Sequence, residues 1–157
     1  MDRSPNPSRD ATGLRVALVI SRFNEEITTR LRDGARKGLI DRGARSADIA
    51  EVWVPGAWEL PLAAKALIQS GHFDALVCLG CVIRGETTHH IHVGGEAARG
   101  IAQLTLETGF PIGFGVLTTD TEEQALARAG ERSDNKGWDA ALSAIEMVHV
   151  LRRIKAK

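Results

Sequence analysis

The chain has 157 residues and a mass of 16.9 kDa, enough for one ordinary globular domain whose core needs neither disulfide nor metal to fold. Twenty Lys plus Arg balance twenty Asp plus Glu, which excludes the one-signed field that draws a protein to nucleic acid or to an anionic membrane. No apolar run approaches the ~20 residues of a membrane span, and residues 1–10 lack the apolar core of a signal peptide, so a cytoplasmic location is expected.

Residues 1–13, rich in Ser, Pro, Asp and Arg, read as a flexible arm or as a strand lent to a neighbour. A single domain is expected over residues 14–157. From Leu14 onward, β-type runs alternate with helix-type runs. Strands are predicted over 15–20, 49–54, 75–83 and 112–117, and helices over 25–42, 57–70, 87–108, 122–129 and 138–154. Residues 16–20 and 76–79 are nearly continuous in apolar side chains, as parallel strands covered on both faces require. In the last helix Ala141, Ala144, Ile145, Val148 and Leu151 draw one stripe. Right-handed crossovers turn this order into a three-layer α/β fold of the flavodoxin-like, doubly wound kind: a central four-stranded parallel sheet flanked by helices. Ligands of such folds bind at the carboxyl ends of the strands.

The first strand ends in Ser21-Arg22-Phe23-Asn24. Phe23 there is either a stacking surface for a flat heterocycle, with Asn24 bonding its polar substituents, or a hydrophobic staple beside an Asn24 N-cap. The second ends in Val54-Pro55-Gly56-Ala57-Trp58-Glu59-Leu60-Pro61, where small Ala57 lets a ligand approach the backbone. Glu59 can accept from a polyol or favour the helix N-terminus. The third ends in Cys81-Val82-Ile83-Arg84-Gly85-Glu86-Thr87-Thr88-His89. Gly85, Glu86, Thr87 and Thr88 form a turn into a helix, whose free N–H groups suit a phosphate; no Walker A pattern is present. His89, His90 and His92 follow at once, and an imidazole beside a phosphate site can shuttle protons.

Cys78 and Cys81, with His89 and His92, mimic a zinc or redox motif. Strand geometry argues against it, because residues three apart in a strand point to opposite faces. Thr119 and Glu122 have capping-box spacing before the fourth helix. Arg128 near that helix's end can satisfy terminal carbonyls or fork a phosphate. Asp134-Asn135-Lys136-Gly137 forms a polar turn, and Lys136 there is a solvated charge or a ligand contact.

Taken in order, Arg22-Phe23-Asn24, Pro55-Gly56-Ala57-Trp58-Glu59-Leu60-Pro61, Val82-Ile83-Arg84-Gly85-Glu86-Thr87-Thr88-His89, Gly115-Val116-Leu117-Thr118-Thr119 and Asn135-Lys136-Gly137 resemble the lumazine synthase family, from about Leu14 to Ile154. The resemblance implies condensation of 5-amino-6-(D-ribitylamino)uracil with 3,4-dihydroxy-2-butanone 4-phosphate, two small-molecule substrates, without metal or organic cofactor. It implies that Phe23 stacks on the pyrimidine and that Asn24, Ala57, Trp58 and Glu59 define the ribityl pocket. Cys81, Val82 and Ile83 would line the ring site through their backbone. Gly85, Glu86 and Thr87 would hold the phosphate through N–H groups, with Arg128 arriving from an adjacent subunit, which would also bring Phe114 and Lys136 to the pyrimidine and ribityl side of the site. His89 matches the proton-transfer residue. Two positions depart: Trp58 stands where many relatives carry Phe or Leu, and the Glu86 carboxylate would repel a phosphate unless it points to solvent.

The family forms homopentamers that stay alone, pair into decamers or close into icosahedral shells, which can enclose riboflavin synthase as a partner. Small Gly94, Gly95, Ala97 and Ala98 suit packing around a symmetry axis, and the short 131–134 turn favours the shell. The competing readings are a flavin store, which needs no proton shuttle; a cage without catalysis, which would not need Arg128 and Lys136; and an electron carrier, which would be acidic and rich in aromatics.

Overall fold

The computed structural model describes residues 7–156. Four strands, β1 (Val16–Ser21), β2 (Ile49–Val54), β3 (Ala75–Ile83) and β4 (Ile112–Thr119), form one sheet in the order β2-β1-β3-β4. Every pairing is parallel, so every strand opens its carboxyl end on the same edge. Five helices cover the sheet: α1 (Glu25–Asp41), α2 (Leu60–Ser70), α3 (His89–Thr108), α4 (Glu122–Ala127) and α5 (Lys136–Lys155). Alternation along the strands divides the core in two. Val16, Leu18 and Ile20 face α1 and α5 together with Val77 and Leu79, whereas Ala17, Val19, Leu76 and Val116 face α2 and α3. The predicted three-layer architecture is therefore the observed one.

Boundaries differ where local chemistry intervenes. The run expected to be helical from residue 57 starts with a 3-10 turn at Ala57–Glu59, and the α-helix begins only at Leu60. Pro61 supplies the reason: it has no N–H to return to the Ala57 carbonyl, so it is tolerated only in the first helical turn. Before α4 the capping box joins Thr121 and Gln124 rather than Thr119 and Glu122. Thr119 instead donates its hydroxyl to the Thr121 carbonyl at 2.9 Å. The last helix starts at Lys136, two residues ahead of the expected start, because the Asn135 Oδ1 accepts from Trp138 N–H at 3.1 Å and so caps it. In α5 Ala141, Ala144, Ile145 and Val148 are buried as the stripe predicts, and Leu151 is half-buried.

Of the segment read as an arm, residues 1–6 lie outside the described residues. Beyond them packing starts at Ala11, three residues before Leu14. The Ala11 side chain is fully buried and its N–H donates to the Arg42 carbonyl at 2.8 Å. His149 Nε2 donates to the Asp10 carbonyl at 2.6 Å, and Arg9 pairs with Glu146 at 2.7 Å. No helix among the described residues is long and apolar enough to cross a membrane.

Candidate active site

Three strand ends build a cleft of about 780 Å³. The β1–β2 ladder continues past both strands: Arg22 N–H donates to the Val54 carbonyl at 2.8 Å and Phe23 N–H to the Pro55 carbonyl at 3.1 Å. That stitching sets Phe23 beside the 55–59 turn. Asn24 then bends the chain through a left-handed conformation (φ 60°), which Asn tolerates better than most residues. Its side chain does not cap α1. Nδ2 reaches across to donate to the Cys81 carbonyl at 2.9 Å, tying the end of β1 to the end of β3.

Phe23, Ala57, Trp58, Glu59, Cys81, Val82, Ile83, Gly85, Thr87 and His89, all expected at the site, line the cleft. Both aromatics in the wall stay exposed: Phe23 is 72% and Trp58 59% exposed, so neither is spent on the core and no hydrophobic staple forms at Phe23. The Glu59 carboxylate accepts from Gly56 N–H at 3.0 Å and thereby braces the turn that it belongs to.

At the other end of the cleft, the 85–88 turn leads into α3. The Thr87 hydroxyl accepts from His89 N–H at 3.3 Å, and the Thr87 carbonyl accepts from His90 Nδ1 at 3.2 Å. Gly85, Glu86, Thr87 and Thr88 donate no backbone hydrogen bond to another described residue, which leaves their N–H groups, at the positive end of the α3 dipole, available to an anion. Glu86 is exposed and lies outside the cleft wall. His90 and His92 line the cleft with His89, as do Pro55, Gly56 and Val93. The first two belong to the histidine cluster that marks the sequence; the others contribute shape and carry no chemical signature to read.

Cys78 and Cys81 sit in opposite core clusters, as strand alternation demands. Burial pushes the Cys78 thiol up to about 12. Burial, with the Glu122 charge adding to it, pushes Cys81 up to about 11. Neither supplies a thiolate at neutral pH, and among the described residues no group of His, Cys, Asp and Glu is arranged to hold a metal ion.

Phe114, Arg128 and Lys136 stand away from this chain's cleft. Phe114 is 48% exposed on β4. Arg128 Nη1 donates to the Gln124 carbonyl at 2.9 Å, and Lys136 Nζ lies 3.5 Å from Asp139. Asn135, expected only as part of a polar turn, caps α5, and an Asn directly before a helical run is the ordinary mark of an N-cap.

An open parallel α/β sheet with exposed aromatics and a helix N-terminus at one crevice places the protein in the doubly wound class, whose ligand crevices lie at the strand ends. The sequence profile of 6,7-dimethyl-8-ribityllumazine synthase matches residues 13–152. A protein of that name from Syntrophus aciditrophicus (strain SB) is 55% identical over 144 residues, covering 92% of this chain and 94% of its own length. The chain belongs to the 6,7-dimethyl-8-ribityllumazine synthase family, and it is a transferase of riboflavin biosynthesis.

Proposed function

We propose that the cleft is where 5-amino-6-(D-ribitylamino)uracil and 3,4-dihydroxy-2-butanone 4-phosphate condense, with the pyrimidine held at the Phe23 end and the phosphate at the 85–88 turn. One observation carries the reading: the same crevice offers exposed aromatic faces at one end and free N–H groups beside an imidazole at the other. A flat heterocycle and a phosphorylated ketone need those two surfaces.

In this reading Phe23 stacks on the pyrimidine, and Ala57, Trp58 and Glu59 shape the ribityl pocket. The Cys81, Val82 and Ile83 backbone lines the ring site, while Asn24 acts by fixing the β3 end on which that backbone depends. Gly85, Glu86 and Thr87 hold the phosphate through N–H groups, the Glu86 carboxylate standing in solvent. His89 moves the protons. The substrate amine attacks the ketone, and the departing hydroxyl takes a proton to leave as water with the imine. A proton is then removed from the carbon beside the imine as the C–O bond to phosphate breaks. The enol left by that elimination takes a proton at its terminal carbon to become a second carbonyl, and attack of the ribityl-bearing nitrogen on it closes the ring and expels the second water. An imidazole can both give and take a proton, so one side chain serves each of these steps; orientation of two substrates in one cleft supplies much of the remaining acceleration.

Phe114, Arg128 and Lys136 reach the site of a neighbouring subunit, which requires a homo-oligomer. A pentamer supplies it, and the short 131–134 turn leaves pentamers free to close into an icosahedral shell in the cytoplasm, with riboflavin synthase a candidate guest.

The test mixes purified protein with both substrates and follows lumazine fluorescence and phosphate release. Turnover well above background that falls in both His89→Ala and Arg128→Ala is expected. A folded oligomer that binds flavin without forming product would overturn the assignment.

A further inference from the structure

Arg128 and Lys136 flank a loop that closes on itself. Lys136 N–H donates to the Arg128 carbonyl at 2.9 Å, and Gly130 N–H to the Asp134 carbonyl at 2.9 Å, so the two cations leave the chain from adjacent backbone. Within the loop Arg132 is held in a left-handed conformation (φ 45°), unusual for a residue of its size. Apart from the buried Ala129 methyl, the loop's anchor is Asn135, 1% exposed.

The Asn135 carboxamide is fully occupied. Oδ1 accepts from Trp138 N–H at 3.1 Å, and Nδ2 donates to the Gly130 carbonyl at 2.9 Å and to the Arg30 carbonyl of α1 at 3.0 Å. A helix cap needs only the oxygen. The two bonds from nitrogen do something else: they tie the middle of the loop to the backbone of α1. Two glycines make room for the contact. A methyl on Gly34 would collide with the Asn135 carboxamide, and one on Gly137 with the Leu31 carbonyl.

We propose that Asn135 is a positioning residue for the phosphate half of the reaction, setting through Nδ2 where Arg128 is presented to the neighbouring subunit's cleft. The inference rests on the reading of Arg128 given above. Asn135 touches no substrate; it acts through the loop, and therefore on the neighbour's site rather than its own.

Asn135→Ser separates the two roles, since the Ser hydroxyl retains a capping oxygen but is too short, with a single hydrogen, to bridge the Gly130 and Arg30 carbonyls. The KM for the butanone phosphate should rise about tenfold while that for the pyrimidine stays within about twofold. Asn135→Thr, which likewise keeps a capping oxygen and fills more of the site, is read in the same way where the Ser variant fails to accumulate. Subunit mixing decides where the residue acts. Co-expressed His89→Ala and Asn135→Ser chains should assemble sites with intact His89 and an intact donated loop, giving activity above the mean of the two parents. Equal changes in both KM values, or no recovery on mixing, would overturn the role of Asn135. The control is His89→Ala mixed with Arg128→Ala: failure there overturns subunit donation itself, while recovery there without recovery for Asn135→Ser overturns only the positioning role.

Discussion

Gly85 and Gly137 stand at opposite extremes of the same protein. A methyl added at Gly85 would meet open space, whereas one at Gly137 would strike the Leu31 carbonyl of α1. The first glycine lies on the open wall of the cleft; the second lies where two backbones already touch. The comparison extends to their surroundings. Around Gly85 the backbone N–H groups are free and the cleft aromatics exposed, while around Gly137 the polar groups are paired and Asn135 is buried. Groups left unspent by the fold are those available to a ligand, and groups consumed by the fold set where the ligand-binding groups stand.

The largest effect tests that contrast directly. Gly137→Ala should destabilise the protein by about 2–4 kcal/mol, because the obstacle is backbone and cannot rotate away. Gly85→Ala should cost less than about 0.5 kcal/mol and show instead as a raised KM for the phosphorylated substrate. Denaturant melts of both variants check this, and equal losses of stability would erase the distinction. Second in size, His89→Ala should lower kcat about 10²-fold with the melting temperature unchanged. The ring makes no hydrogen bond to another described residue, so its removal frees no buried partner. A residual rate above the uncatalysed reaction is expected from orientation alone.

Trp58 and Leu60 sharpen the contrast within a single turn. Leu60 is fully buried and Trp58 is 59% exposed, so Leu60→Ala should cost about 2–5 kcal/mol of stability. Trp58→Ala should leave folding nearly unchanged and raise the KM for the ribitylamino-uracil about tenfold. A Trp58→Ala enzyme with normal kinetics and a lowered melting temperature would move this side chain from the ligand to the fold.

The first and third strands were legible because each carries a nearly continuous apolar run, and the last helix because it carries a periodic stripe, signals that depend on no distant partner. The strand-end residues were legible for a related reason: parallel topology sends them all to one edge. What escaped was decided by contacts remote in sequence. Asn24 looks like a helix cap until β3 brings the Cys81 carbonyl within reach of its Nδ2. Asn135 looks like turn filler until α1 presents the Arg30 carbonyl, 105 residues away along the chain. The early burial of Ala11 likewise depends on the Arg42 carbonyl at the far end of α1. A side-chain amide has no periodicity to betray it, and its role follows from whichever carbonyl the fold delivers.

The smallest effect concerns the two thiols, which compare the interior with the floor of the cleft. Burial raises Cys78 to about 12 and, aided by Glu122, Cys81 to about 11, from an ordinary value of 9.0. An acid whose folded pKa lies above its unfolded value holds its proton longer in the native state. Above 9.0 the unfolded chain therefore binds fewer protons than the native one, and stability falls as pH rises. The thiol contribution is complete below 9.0, declines through the window up to about 11 for Cys81 and about 12 for Cys78, and is gone beyond it. Denaturant midpoints across that alkaline window should slope less steeply in Cys78→Ala and Cys81→Ala than in the parent, with the larger change for Cys78. At neutral pH both thiols should resist alkylation until the chain unfolds. Rapid modification of Cys81 in the native protein, with Cys78 protected, would mean that the floor of the cleft opens on its own, and the rigid base that the Asn24 bond gives to this site would have to be abandoned.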